Sequence, residues 1–322
     1  MYFSIIVPAY NRAHILPICL NSLINQDYPK DCFEIIIVDN NSNDNTKEVV
    51  NKFIQNNQSF AIQLIIEKRQ GLVFARHTGA KAAKFETLVY TDDDASLSQN
   101  WLRAIAEVYE SNSKVVAVGT KILIRWDSIP PDWVLKYEPL LGKLDYGNEI
   151  IYEKNIYING GSFSIKKETL NSVGGFNPGQ LGDWIIGDSE AGLCIKLHKK
   201  DYLIGWTPFG VMEHLQFVKK HATIKDIARR YINNGRIVPY RLYAIEGMRY
   251  SDLLKNCFQS LNRSVKELMK AILYSIQKKQ DKSLEHYFNY HFYFCQTPYS
   301  LKIIFSRRFR QSLLKKDWIH SK

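Results

Sequence analysis

Three adjacent carboxylates, Asp92, Asp93 and Asp94, follow the apolar run Leu88-Val89-Tyr90 and Thr91. Read as a buried strand, that run delivers the acids to its carboxyl end, where open α/β sheets bind ligands. Like charges side by side raise the free energy unless a cation or hydrogen-bond donors answer them. Hard carboxylate oxygens suit Mg²⁺ or Mn²⁺, ions that commonly bridge to substrate phosphates. The stretch therefore reads as a metal–diphosphate site. A solvated acidic turn capping the next helix is the plain alternative, and these residues alone leave both open.

The chain before the acids supplies the strands that such a site needs. Residues 3–7 predict a short buried strand, broken by Pro8-Ala9-Tyr10-Asn11-Arg12, and residues 13–26 carry apolar positions at helical spacing. Phe33 to Val38 predicts a second buried strand ending at Asp39, with a helix over 46–56. A third strand over 62–66, a loop with Gly71, a helix from about 74 to 85 and a fourth strand over 88–91 complete the alternation. That order predicts a doubly wound, mostly parallel α/β sheet. No glycine-rich dinucleotide fingerprint follows the first strand, and no P-loop consensus occurs. Asp and Asn at the strand ends would instead read a base and a ribose by hydrogen bonds.

Beyond the acids, Trp101 to Tyr109 predicts a helix, with Trp101 packed on the sheet. Val115–Val118 and Lys121–Ile124 read as two strand-like segments. Residues 126–148, with Pro130-Pro131, Trp133, Tyr137 and Tyr146, predict a long loop. Such loops are commonly functional, covering a sheet edge being the alternative. Residues 156–165 predict a strand interrupted by Gly160-Gly161, where a ligand or another backbone comes close. A helix over 167–173 closed by Gly174-Gly175 follows, then a helix over 191–198 and a short strand over 203–206 ending at Pro208.

Four motifs each sit just past a strand: Val7-Pro8-Ala9-Tyr10-Asn11-Arg12, Val38-Asp39-Asn40-Asn41-Ser42-Asn43-Asp44-Asn45-Thr46, Gly71-Leu72-Val73-Phe74-Ala75-Arg76-His77-Thr78-Gly79 and Thr91-Asp92-Asp93-Asp94-Ala95. In this order and spacing they resemble the family 2 glycosyltransferases, which have the GT-A fold. Asn159-Gly160-Gly161-Ser162-Phe163, Val173-Gly174-Gly175-Phe176, Asp188-Ser189-Glu190 and the stretch from Pro208 to His214 match that family's acceptor half. The resemblance covers residues 1 to about 215. It implies a nucleoside diphosphate sugar donor, a Mn²⁺ or Mg²⁺ cofactor and a polysaccharide or lipid-linked saccharide acceptor.

The resemblance also implies roles. Asp39 would bond the nucleobase. Pro8, Ala9, Tyr10 and Arg12 would line the nucleotide-sugar pocket with Asp93, and Arg76 would lie near the base or diphosphate. Asp92 would contact ribose or metal, Asp94 would ligate the metal, and His214 would be an additional metal or diphosphate ligand. Gly160, Gly161 and Trp126 are the acceptor-side candidates. Asp188 would be the catalytic base, giving one displacement with inversion. Gly187 stands where the family has a first acid, so Glu190 is the substitute. Asp44 reads as a helix cap, and His77, in place of the family's usual Asn, as a variant rather than a catalyst.

Composition agrees with a globular protein: 322 residues, 45% hydrophobic and 23% charged. The five cysteines are scattered without metal-ligand spacing, which favours a reducing compartment. The amino-terminal residues read as a strand rather than a signal peptide, and no apolar run approaches the ~18 residues that span a bilayer. A cytoplasmic protein is expected, peripheral on the inner face of the cell membrane through its basic end.

The net charge of +11 is uneven. Residues 215–322 hold 22 Lys and Arg against 7 Asp and Glu, and the remainder holds 21 against 25. The expected division is a catalytic domain over 1–218 and a basic, mainly helical region over 219–322. Basic stretches at 219–249 and 302–316, the latter interleaved with Phe305, Phe309 and Leu313, suggest an anionic membrane surface as partner; helices packed on the catalytic domain with solvated charges are the alternative. Two rivals remain in other classes. A nucleotidyltransferase would need a glycine-rich, basic first loop where Pro8-Ala9-Tyr10 stands. A non-catalytic membrane or nucleic-acid binder gains nothing from the acids at 39, 92, 94 and 188. No nucleic-acid partner is expected.

Overall fold

The computed structural model describes residues 1–177, 180, 181, 184, 185, 189–314 and 317–320. Its first half alternates strictly: β1 (Phe3–Ala9), α1 (Leu16–Ile24), β2 (Phe33–Asp39), α2 (Thr46–Asn56), β3 (Ala61–Ile66), α3 (Leu72–Ala82) and β4 (Thr87–Thr91). β1 and β2 are buried along their whole length, as expected of parallel strands covered on both faces, whereas the edge strand β3 is half-buried. The four strands pair in parallel in the order β3-β2-β1-β4. Alternate residues face opposite layers. Ile5, Val7, Ile35 and Ile37 pack with Leu16, Cys19 and Leu20 of α1. Ile6, Ile36, Val38 and Leu88 pack with Val73, Ala75 and Ala80 of α3. Gly79 lets α3 approach the sheet, because a Cβ there would stand 2.4 Å from Cγ2 of Ile6.

The chain steps outward from β1 to β3 and returns on the other flank as β4. The strand order therefore reverses between β1 and β4, which opens a crevice at their carboxyl ends. Asp92 to Asp94 leave β4 at that crevice.

The second half comprises β5 (Ala95–Leu97), α4 (Trp101–Ser111), β6 (Val115–Trp126), α5 (Asp132–Leu135), β7 (Ile151–Glu153), β8 (Ser162–Lys166), α6 (Lys167–Ser172), the paired β9 (Gln180–Leu181) and β10 (Trp184–Ile185), α7 (Ser189–Lys199) and β11 (Leu203–Gln216). The sheet continues β4-β8-β6-β11-β5, with β7 on β11. β8 runs antiparallel to β4 and β6, so the sheet is parallel on one side of β4 and mixed on the other.

Three elements differ from the sequence expectation. The segments at 115–118 and 121–124 form one strand, β6, because Gly119 serves packing rather than a turn: its Cβ would stand 2.6 Å from Cγ2 of Ile158. The strand expected from 156 begins only at Ser162, because side chains occupy the backbone before it. Gly161 N donates to Asn159 (2.8 Å) and Gly160 O accepts from Arg76 (2.9 Å). The last strand does not stop at Pro208. β11 continues to Gln216 through a bulge between Thr207 and Val211, where Pro208 has no ladder N–H to supply.

Among the described residues six α-helices follow, with a π-helical turn over Arg241–Ile245 after the second: α8 (Val218–His221), α9 (Ile224–Tyr240), α10 (Tyr250–Ile276), α11 (Gln280–Phe294), α12 (Gln296–Phe305) and α13 (Arg307–Leu313). Thr223 caps α9 by accepting from Asp226 N (3.1 Å). Ile227 and Ala228 of α9 and Phe288 of α11 share a core with Val134, Tyr137 and Leu141. The stretch 126–148 is therefore a seat for these helices, with α5 inside it. Among the described residues no helix is long and apolar enough to cross a membrane.

Candidate functional site

The acids of the triplet take different sets of partners, with Arg12 shared by two of them. Asp92 faces Arg76, whose Nη2 lies 3.6 Å from its Oδ1. Asp93 turns toward the β1 loop, where Arg12 Nε stands 3.1 Å from Oδ1 and Tyr10 N donates to Oδ2 (3.4 Å). Asp94 is held from both sides, by Arg12 Nη2 (3.3 Å) and by His214 Nε2 (3.2 Å). His214 arrives because β11 runs past its bulge. Its Cα pairs with Ala95 in β5, and Leu215 N donates to Asp94 O (2.9 Å).

Ligand atoms of Asp92, Asp94 and His214 lie within 4.8 Å of one another. Two carboxylates and an imidazole suit a divalent ion such as Mn²⁺ or Mg²⁺. His214 donates to Asp94 here, and an imidazole must give up that proton to ligate a metal. The donor set fits a cation in both type and span.

Electrostatics separate the three carboxyls. Burial pushes Asp93 up to about 7, with the charges of Asp94 and Asp92 adding and Arg12 opposing. Burial also raises Asp92, against Arg76, with Asp94 adding. Asp94 is buried too, but its bond from His214 and the charges of His214 and Arg12 outweigh burial and hold it below the usual carboxylate range. His214 is raised in turn: burial favours its neutral form, and the bond and charge of Asp94 overcome that.

Arg76 is the buried cation of the site, 2% exposed. It donates to Gly160 O (2.9 Å), Ser189 Oγ and Glu190 Oε2 (3.3 Å each), and it lies over the Phe176 ring. The glycine pair makes room for this: a Cβ on Gly160 would stand 2.5 Å from Arg76 Nη2, and one on Gly161 2.9 Å from Asp92 Oδ2. Asn159, from the motif with Gly160 and Gly161, and Gly142, which no sequence motif included, also border the cluster. Asn159 Nδ2 donates to Gly142 O (3.3 Å), and a Cβ on Gly142 would stand 2.9 Å from His214 Nδ1. The seat stretch therefore touches the site, through a contact between distant segments that no local pattern signals.

Pro8 and Ala9 end β1 beside Asp39 of β2, with Tyr10 exposed above them. Asp39 is buried and accepts from Ser42 N (2.9 Å). Asp44 fastens the start of α2, accepting from Thr46 N (3.0 Å) and Ala13 N (3.1 Å). Trp126 stands apart from the acids: its indole donates to Glu138 (3.1 Å) within the core under α9. Asp188 lies outside the described residues, as does Gly187.

His77, next to Arg76, accepts from Phe176 N through Nε2 (2.9 Å). Burial, aided by the charges of Lys196 and Lys81, depresses its pKa to about 3. Between pH 6.5 and about 3 the unfolded chain binds a proton there that the folded chain does not. Stability is thus complete above pH 6.5 and falls with pH through that window, by up to about 1.4 kcal/mol per unit. Urea unfolding across the window, for the wild type and His77→Gln, should show a shallower slope in the variant. Identical slopes would remove His77 from the account.

A family model described as glycosyl transferase family 2 matches residues 4–174. The glycosyltransferase AglE of Haloferax volcanii is 39% identical over 122 residues, 38% of this chain and 39% of that protein. The glucosyl-dolichyl phosphate glucuronosyltransferase of the same organism is 27% identical over 139 residues, 42% of this chain and 44% of that protein. The chain thus spans less than half the length of these relatives. Among solved structures, the mannosyltransferase PcManGT of Pyrobaculum calidifontis, in complex with GDP-Man and Mn²⁺, superposes with a TM-score of 0.54 at 23% identity. That match covers 72% of this chain and 61% of the other. It bears out the expected GT-A-like architecture.

Proposed function

Because the chain belongs to glycosyl transferase family 2, we propose that it transfers a sugar, with inversion, from a nucleoside diphosphate sugar to a saccharide or lipid-linked saccharide. The observation that carries this reading is the convergence of Asp92, Asp94 and His214 in the crevice between β1 and β4. Sugar transfer requires a diphosphate to leave, and its growing negative charge must be neutralised. A divalent ion held by these three side chains would supply that charge and orient the phosphates.

The chain's own groups do the rest. Asp39 at the end of β2 bonds the base, with Pro8, Ala9 and Tyr10 beside it. Arg12 is fastened by Asp93 and Asp94, which fixes the β1 loop as one wall of the donor pocket. Arg76 adds positive charge from beneath, held by Glu190. That bond engages Glu190 and so favours Asp188 as the base, which would take the proton of the acceptor hydroxyl from the face opposite the leaving group. Gly160 and Gly161 admit Arg76 and Asp92 to the floor of the crevice on the acceptor side, and Trp126 serves the acceptor further out. A lipid-linked acceptor accords with the dolichyl phosphate in one relative's name. It also suits a basic region over 219–322 that forms a unit beside the catalytic domain and meets the inner face of an anionic membrane.

A thermal titration with UDP, GDP and dTDP, each with and without Mn²⁺, tests the donor site. A ligand of the folded chain stabilises it by mass action, about 2.7 kcal/mol at a hundredfold excess over Kd, and so raises its melting midpoint. One nucleotide should shift the midpoint, and only with the metal. Absence of any shift in folded protein would overturn the assignment.

A further inference from the structure

The 27-residue helix α10 is packed inside out. Its buried side carries Leu253 but otherwise small residues, Cys257, Ser260, Ser264 and Ala271. These let α12 come close, with Ser260 Oγ donating to Gln296 Oε1 (2.9 Å) and Cys257 Sγ directed at Thr297 O. Its large apolar residues point away from the protein. Leu254, Phe258, Leu261, Val265, Leu268 and Ile272 recur at alternating spacings of four and three, and all are exposed. Phe258 and Met269 are each 65% exposed and Ile276 74%. At about 100° per residue they form one arc of roughly 100°, and from Leu254 to Ile276 it is about 33 Å long. Contiguous apolar surface on this scale marks an interaction site rather than ordinary surface.

We propose that this arc lies in the interface of an anionic lipid bilayer, with α10 parallel to the membrane plane. The inference rests on the membrane reading above and relocates its apolar contact to a helix outside the basic stretches of the sequence. Charge selects the occupant. Lys255 and Lys266 follow the edge of the arc by the same helical geometry, with Lys270 and Arg263 beyond them. The two acids of α10 are already answered, Asp252 by Arg249 (3.2 Å) and Glu267 by His286 (2.7 Å) and Lys270 (3.1 Å). Residues 215–322 hold 22 cations against 7 acids, so a second copy laid on this face would bring like charges together. A plane of phosphate headgroups answers them, and juxtamembrane cations gain from such a surface.

Flotation of the full chain with phosphatidylcholine vesicles, with and without phosphatidylglycerol, tests the proposal. Intact protein should float with the anionic vesicles and not with the neutral ones. The double variant Phe258→Glu/Met269→Glu, altered only at exposed positions, should keep its melting midpoint and lose partitioning about tenfold or more. Lys255→Glu/Lys266→Glu should weaken anionic binding and make what remains less sensitive to salt. If intact protein ignores anionic vesicles, the membrane reading and this inference both fail. If it binds and Phe258→Glu/Met269→Glu binds equally, the role of α10 alone fails. A wild-type dimer in sedimentation velocity, dissolved by Phe258→Glu/Met269→Glu in protein that ignores vesicles, would assign the arc to a second copy and overturn the proposal.

Discussion

Asp94→Ala should lower turnover by about 10²–10³-fold at saturating Mn²⁺, the cost of removing one preorganised charge partner of a transition state. Asp94 combines two positions in one side chain: it shares the cation cluster with Asp92 and His214, and together with Asp93 it fixes Arg12. Truncation opens the cluster and loosens the β1 loop together. Stability should fall as well, because the ionised Asp94 is the partner of both Arg12 and His214, although Arg12 keeps Asp93. The loss of turnover separates the proposed role from a helix-capping turn, whose loss would lower stability and spare turnover. Steady-state kinetics with melting curves for wild type and Asp94→Ala decide it. Wild-type turnover in the variant would remove Asp94 from the mechanism. Asp93→Asn is the internal control: Asp93 faces Arg12 and Tyr10 rather than the cation cluster, so its loss should act more on KM than on kcat.

The parts of this site that were legible in the sequence are those set by local pattern. Ile35 to Val38 is apolar without interruption because both faces of β2 are covered, and such a run announces a central strand and the acid at its end. The triplet after β4 is legible for the same reason. His214 is a different case. Its place depends on β11 continuing through Pro208, and a proline within a strand pattern argues locally for a stop. Only the pairing of residues 211–216 with β6 shows that the strand resumes. Gly142 and Asn159 meet through a contact between segments 17 residues apart, which periodicity does not report. The stretch 126–148 reads as a loop because its helical turns are short, yet its apolar residues are buried by α9 and α11. For α10, apolar spacing shows that one face is alike but not whether that face looks inward. Burial of the small residues on the other side settles that it looks outward.

Arg76→Met should lower folding stability by about 3–5 kcal/mol, the usual effect of removing one partner from a buried ionic cluster. The guanidinium is almost wholly enclosed and is shared among Asp92, Glu190, Ser189 and the carbonyl of Gly160. Methionine fills similar volume, so little of the loss would come from a cavity. The loss would come from Asp92 and Glu190 left facing each other without a counter-charge, and from a Gly160 carbonyl left without its donor. Arg76→Lys should recover only part of it, because a single ammonium cannot hold partners that two guanidinium nitrogens reach in different directions. Denaturant unfolding of the three proteins should rank wild type above Arg76→Lys above Arg76→Met. Catalysis adds a second readout. If Arg76 lies beneath the donor diphosphate as proposed, Arg76→Met assayed at a temperature where it is folded should also raise KM for the nucleotide sugar. A destabilised variant with unchanged KM would confine Arg76 to holding the β8 and α7 segments together. A variant as stable as wild type would mean that the cluster around Asp92 does not depend on this charge.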